Sequence, residues 1–228
     1  MNKIRVAIIG AGMIANSAHF PALNILKDEG LLEVVGIADV REVAARETAQ
    51  RHGVPNYYTD PQKMLDELCP DFVAVCTPNV YHKEWTIKAL KAGAHVACEK
   101  PIALTYADAK EMWQTARECG KMLFPCQCMR WRNYMQRSRE LVESGELGDI
   151  YFSDIEFIRR IGVPTWGMFH MKEHNYGGPF CDLGVHLIDS LLWIVGEKKV
   201  KSVSGSTFFL DYNAFFPLRR FGADRRGA

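Results

Sequence analysis

Apolar runs and amphipathic stretches take turns along the first 127 residues. The run "IRVAIIG" is short, β-branched and apolar throughout, which predicts a strand covered on both faces, as in a parallel sheet. "LEVVGIAD", "DFVAVCTPN", "AHVACEK" and "KMLFPCQ" repeat the pattern, and "NYYTD" adds a shorter strand. Between them the apolar positions recur at helical spacing. A first helix is predicted from Ala15 towards Leu26, and a second over "REVAARETAQRHG" with Gly53 as its stop. A third takes Asp60 as its cap and Pro61 as its first residue. Two more cover "YHKEWTIKALKAG" and "TYADAKEMWQTARECG". Strand and helix alternating over short joints predict an α/β fold, a Rossmann-type doubly wound parallel sheet spanning 1–127.

The pattern then changes. "WRNYMQRSRELVESGELG" predicts a helix, "DIYFSDIEFIRR" a longer, partly alternating strand, "CDLGVHLIDSLLWIVG" a helix and "VKSVSGSTFF" a strand. "PTWGMFHMKEHNYGGPF" has no period and reads as loop. Together these predict a partial α+β domain over 128–210 with an open sheet. The tail, 211–228, fits neither period and resembles out-of-frame or replacement sequence in a shortened chain. So few strands leave edges and an apolar face uncovered. Truncation, oligomerisation and a disordered end are three ways to account for that.

Composition narrows the field. The chain has 228 residues and a net charge of +1, so no basic excess marks a nucleic-acid or membrane surface. The seven cysteines are an odd number, and Cys76 and Cys98 sit inside apolar strand runs as free thiols do. This usage predicts a reducing, cytoplasmic location. Cys126-x-Cys128 has neither the spacing nor the partner pair of a zinc knuckle, and no metal is expected. "MNKIRVAIIG" runs directly into a strand rather than a leader peptide, and no apolar run reaches the length of a membrane span.

The chemistry gathers at predicted strand ends. "IIGAGMIA" places Gly10, Gly12 and Ala15 in the G-x-G-x-x-A arrangement, with Met13 and Ile14 between, after a strand and before a helix. Gly10 allows the tight turn, Gly12 the approach of a pyrophosphate, and Ala15 close helix–strand packing. Asp39 ends the second strand. It either accepts from ribose hydroxyls, favouring NAD, or caps a helix; Arg41 beside it would suit NADP. Thr77, Pro78, Asn79 and His82 follow the fourth strand. Asn79 and His82 face either the nicotinamide side or their own helix start. Glu99 and Lys100 close the next strand, either as a solvated turn pair or as cofactor-facing groups. In the second case Lys100 moves a hydroxyl proton and Glu99 orients a carboxamide or the lysine. In "CDLGVHLIDSL", Asp182 and His186 are four apart and share a helix face, either used or satisfied in the core, while Asp189 reads as structural.

Taken in order, "AIIGAGMIANSAHFPAL", "CTPNVYHKEWTIKALKAGAHVACEKPIALT" and "GGPFCDLGVHLIDSLLWIVG" resemble the Gfo/Idh/MocA oxidoreductases over residues 1–208. The resemblance implies NAD, or NADP, as cofactor and hydride transfer at a hydroxyl or carbonyl carbon of a sugar, cyclitol or related polyol. It implies Lys100, Asp182 and His186 as catalytic residues. Arg130, Arg159, Trp166, His170, Lys172 and His174 become candidates for the substrate pocket, each equally readable as surface or core. A homo-oligomer formed through the second-domain sheet is a further implication. Two other activities stay open: elimination or glycoside cleavage with retained NAD, and non-catalytic dinucleotide sensing. Members of the family usually run well past 300 residues, so this chain is short among them.

Overall fold

A computed structural model describes residues 3–158, 178–196 and 199–206. Residues 1–196 form one compact unit and 197–228 a second. In the first unit, β1 (Ile4–Ile9), β2 (Leu32–Ala38), β3 (Tyr57–Tyr58), β4 (Phe72–Val75), β5 (His95–Cys98) and β6 (Leu123–Pro125) make one sheet in the order β3-β2-β1-β4-β5-β6. Every pairing is parallel. That order reverses between β1 and β4, and ligands of such sheets bind outside the carboxyl ends of the strands at that point.

The uniform apolarity of the strands now has its reason. Along β1, Val6 and Ile8 join the core on one face, and Ala7 and Ile9 join the core on the other. Ile8 and Ile9 are fully buried, each contributing about 1.5–3 kcal/mol by leaving water. The helices α1 (Phe20–Asp28), α2 (Glu42–His52), α3 (Pro61–Leu68), α4 (His82–Lys91) and α5 (Tyr106–Glu118) fill the crossovers. Their ends follow local chemistry. Asp60 accepts from the Gln62 amide, Thr105 accepts from the Asp108 amide, and Gly53 ends α2 in a left-handed conformation.

The predicted first helix begins instead as a wide turn, Ala15–His19, that carries i→i+5 hydrogen bonding into α1. Beyond β6 lie a short 3₁₀ turn at Cys128–Trp131, α6 (Asn133–Glu143), a second wide turn at Phe180–Gly184 and α7 (Val185–Val195). Here two expectations fail. Residues 151–158 and 201–206 form no strand, and no strand follows β6 among the described residues. A strand needs a neighbouring strand for its backbone groups, and 151–158 forms no ladder with a described one; Tyr151 is 98% exposed. The regular structure in the described part of the predicted α+β domain is therefore all helical. The open sheet on which the homo-oligomer rested is absent from it. The tail, 211–228, lies outside the described residues. Among these residues, no helix is long and apolar enough to cross a membrane.

Candidate active site

The carboxyl ends of β1, β4, β5 and β6 share one edge, and the candidate groups collect there. Gly10 turns the chain off β1 with φ +103°, and a Cβ at this position would stand 2.5 Å from the Cys76 carbonyl oxygen. The residue can only be glycine because β4 passes directly behind it. Gly12 is the reverse case: a Cβ there would meet nothing within 4 Å, so the outer side of the turn is open to a ligand. Asn16 braces the loop, its side-chain amide donating to the Ala11 and Gly12 carbonyls at 3.1 and 2.9 Å. Met13 is exposed on this turn, whereas Ile14 packs into the core and Ala15 is fully buried. Ile14, partly buried, and Ala15 thus shape the turn with their side chains, leaving their backbone at the helix start beside the open face of Gly12.

Asp39 sits beside the glycine loop, where one carboxylate oxygen accepts from the Ala11 amide at 2.9 Å. The other accepts from the Arg41 amide at 2.9 Å and from its guanidinium at 3.4 Å. Arg41 is thus drawn to Asp39, though its side chain stays largely exposed.

His82 departs from the cofactor role. It is 0% exposed, with Nδ1 2.8 Å from the Pro101 carbonyl oxygen and Nε2 2.9 Å from the Thr77 carbonyl oxygen. Each ring nitrogen faces a carbonyl oxygen and one of them donates, so the buried imidazole ties the β4 loop to the turn after β5. Asn79 opens the 3₁₀ turn Asn79–Tyr81, and Pro78 precedes it. The Thr77 hydroxyl is buried and has no partner among the described residues.

Glu99 and Lys100 are not a solvated turn pair. Glu99 Oε1 lies 2.8 Å from His19 Nε2, with side-chain exposures of 12% and 15%. Burial opposes the Glu99 charge. The hydrogen bond and charge of His19, with the Lys100 amide and ammonium, outweigh burial and hold the carboxyl below its ordinary range. Lys100 Nζ donates to Asp182 Oδ1 at 2.6 Å and to the Asp182 carbonyl at 3.1 Å. The wide turn at Phe180–Gly184 presents Asp182, and His186 follows in the first turn of α7. His186 Nδ1 is buried without a partner among the described residues. Burial first, and the Lys100 charge second, pull the His186 imidazole below its ordinary value.

Arg130 is not free for substrate. Its Nε and Nη2 donate to the two Asp189 oxygens at 2.7 and 2.5 Å, a paired fork that fastens α7 to the turn after β6. Arg159, Trp166, His170, Lys172 and His174 lie outside the described residues. Two groups went unread in the sequence, His19 and Asn16. Their one signal was position, since polar residues in the first turns after the glycine motif must sit at the carboxyl edge.

The arrangement fits a dinucleotide: open space over Gly12, and a buried, unpartnered hydroxyl at Thr77 and ring nitrogen at His186. Comparison with known proteins agrees. Residues 4–126 match the model of an oxidoreductase family with an NAD-binding Rossmann fold, GFO/IDH/MocA, and residues 135–223 match its C-terminal domain. The chain belongs to the GFO/IDH/MocA family. Its first 126 residues therefore constitute an NAD(P)-binding Rossmann domain. The C-terminal match runs into the segment whose sequence fits neither structural period.

Among members of the family, the chain is 43% identical to D-glucoside 3-dehydrogenase of Escherichia coli strain K12, over 91% of this chain and 58% of that protein. It is 29% identical to myo-inositol 2-dehydrogenase of Thermotoga maritima, over 91% of this chain and 60% of that protein. Among solved structures, levoglucosan dehydrogenase in complex with NADH superposes with a TM-score of 0.74 at 25% identity, covering 86% of this chain and 55% of that one. The chain thus spans a little over half the length of these relatives.

Proposed function

We propose that this chain carries the site of an NAD(P)-dependent dehydrogenase or reductase acting on a CH–OH carbon of a sugar, cyclitol or related polyol. The observation that carries the reading is the 2.6 Å Lys100–Asp182 pair at the carboxyl edge of the dinucleotide sheet, with His186 one helical turn on from Asp182. The nicotinamide, when bound, supplies the acceptor or donor of a hydride. Gly10, Gly12 and the helix start behind them would hold the pyrophosphate. Asp39 would take the adenosine ribose hydroxyls, which favours NAD over NADP. Thr77, Pro78 and Asn79 would line the nicotinamide side.

Lys100 and His186 divide the work on the substrate hydroxyl. In oxidation, neutral His186 accepts the hydroxyl proton while the Lys100 ammonium donates a hydrogen bond to the same oxygen. In reduction the proton returns by the same route. Asp182 orients the ammonium and accepts from a neighbouring hydroxyl. The names of the two curated relatives, a glucoside and an inositol dehydrogenase, support a ring bearing adjacent hydroxyls.

The test supplies NAD or NADP with a panel of hexosides, hexoses and inositols and follows reduced nicotinamide against oxidised product. One-to-one accumulation is expected with at least one member. Product without net reduced nicotinamide would point to elimination with a retained dinucleotide. A chain that binds no dinucleotide would overturn the reading.

A pH profile adds a second check. Because His186 is held below the ordinary imidazole value of 6.5, its neutral, proton-accepting form dominates at neutral pH. Oxidation should therefore hold its rate down to about pH 6.5 and decline only as acid protonates the ring. An acid limb already complete at pH 7 would exclude His186 as the base.

A further inference from the structure

We propose that His19, Glu99 and Cys126 form a binding site for a zinc-class divalent cation. The imidazole nitrogen, the carboxylate oxygen and the thiol sulfur all lie within 4.8 Å of one another. They come from three elements: the wide turn after the glycine loop, the end of β5 and the residue after β6. The strand register explains how two of them meet. Cys98 pairs with Pro125, and the Cys126 amide donates to the Cys98 carbonyl at 2.9 Å, so Glu99 and Cys126 end neighbouring parallel strands. His19 completes the group from above, its Nε2 aimed at Glu99 Oε1 at 2.8 Å.

The donor set selects the ion. One nitrogen, one sulfur and one oxygen suit zinc, whereas magnesium and calcium demand oxygen shells. Donor atoms around a four-coordinate zinc stand roughly 3.5 Å apart, so rotations of about 1 Å at the side-chain tips would close the site with the backbone unmoved. Three protein donors leave the fourth position for water, as in reactive rather than structural zinc sites. Binding releases the thiol proton to solvent and replaces the His19–Glu99 hydrogen bond with two metal bonds. Glu99 also accepts from the Lys100 amide at 3.2 Å, so the ion would be held by the residue preceding Lys100 in the chain. Zinc should accordingly slow any turnover that depends on Lys100, and a chelator should restore it. The assignment stands on the three side chains alone and does not depend on the dehydrogenase reading.

Cobalt(II) reports such a site without any activity assay. Titrated into the metal-free full chain, it should give a near-ultraviolet thiolate-to-cobalt band and strong visible bands of four-coordinate cobalt, saturating at one ion per chain. Zinc should displace it. Cys126→Ser should abolish the near-ultraviolet band and His19→Gln should weaken the visible ones, with melting curves confirming that each variant is folded. Cys128→Ser removes an exposed thiol two residues away and should change nothing. A thiolate band that survives Cys126→Ser, or cobalt bound with only the weak spectrum of a six-coordinate aquo ion, overturns the proposal. If Cys126→Ser does not fold, the His19→Gln result decides: an unchanged visible spectrum rejects the site.

Discussion

Replacing Lys100 by methionine is expected to lower kcat/KM on the best polyol by about 10²- to 10⁴-fold while dinucleotide affinity stays within about threefold of the original. Methionine keeps much of the unbranched stem and removes only the ammonium. What is lost is the donor 2.6 Å from Asp182 Oδ1, the group proposed to hydrogen-bond the substrate oxygen while His186 takes its proton. The substitution also strands a carboxylate whose side chain is 15% exposed. An unpaired, fully buried charge costs roughly 3–5 kcal/mol, and partial exposure reduces that. Stability and chemistry must therefore be read separately. Pairing Lys100→Met with Asp182→Asn removes the stranded charge, so the double variant should recover melting temperature but not turnover. Dinucleotide titration by fluorescence, thermal melting and steady-state kinetics on the three variants make the measurement. A Lys100→Met enzyme within threefold of the original rate would remove Lys100 from the proton path.

Gly10→Ala and Gly12→Ala should fail in opposite ways. At Gly10 a methyl group would meet backbone, the Cys76 carbonyl oxygen and carbon at 2.5 and 2.7 Å, and the residue holds φ +103°. Neither conflict can be relieved by turning a side chain. Strain of about 1–3 kcal/mol and overpacking of similar size predict a loss of roughly 2–5 kcal/mol. At about 2–4 °C per kcal/mol for a chain of this size, melting should fall by roughly 4–20 °C. At Gly12 the methyl meets nothing, so melting should not move. Dinucleotide affinity should fall about tenfold or more, or 1.4 kcal/mol, because the methyl occupies the space a pyrophosphate must approach. Differential scanning fluorimetry and dinucleotide titration on the same two proteins separate the effects. A Gly12→Ala protein with full affinity would refute the backbone approach.

The Rossmann half was legible because each of its signals is local. Five apolar runs, a proline at the start of α3 and a glycine at the end of α2 report on their own neighbourhoods, and parallel order follows from their alternation. The second region was misread where the signal was not local. "DIYFSDIEFIRR" alternates well enough to suggest a strand, but a strand exists only with a partner, and alternation carries no information about one. The site followed the same rule. Lys100, Asp182 and His186 were read as candidates from motif context, and the structure brings the first two into contact. The partners of His82 and Arg130 were not legible, because an imidazole or guanidinium looks the same in sequence whether it faces a ligand or a carbonyl or carboxylate across the fold. His19 was missed for a related reason: its partner Glu99 is 80 residues away.

Lys100 and Asp182 are separated by 82 residues. During synthesis at about 5–20 residues per second, the chain has delivered all six strands of the sheet well before Asp182 emerges. Closing so long a loop adds little entropic cost beyond that of a shorter one, so the contact can wait without penalty to the fold. The nucleotide-binding half can therefore fold, and take up its cofactor, while the lysine still lacks its acidic neighbour. The order of emergence from the ribosome separates assembly of the dinucleotide sheet from completion of the Lys100–Asp182 pair.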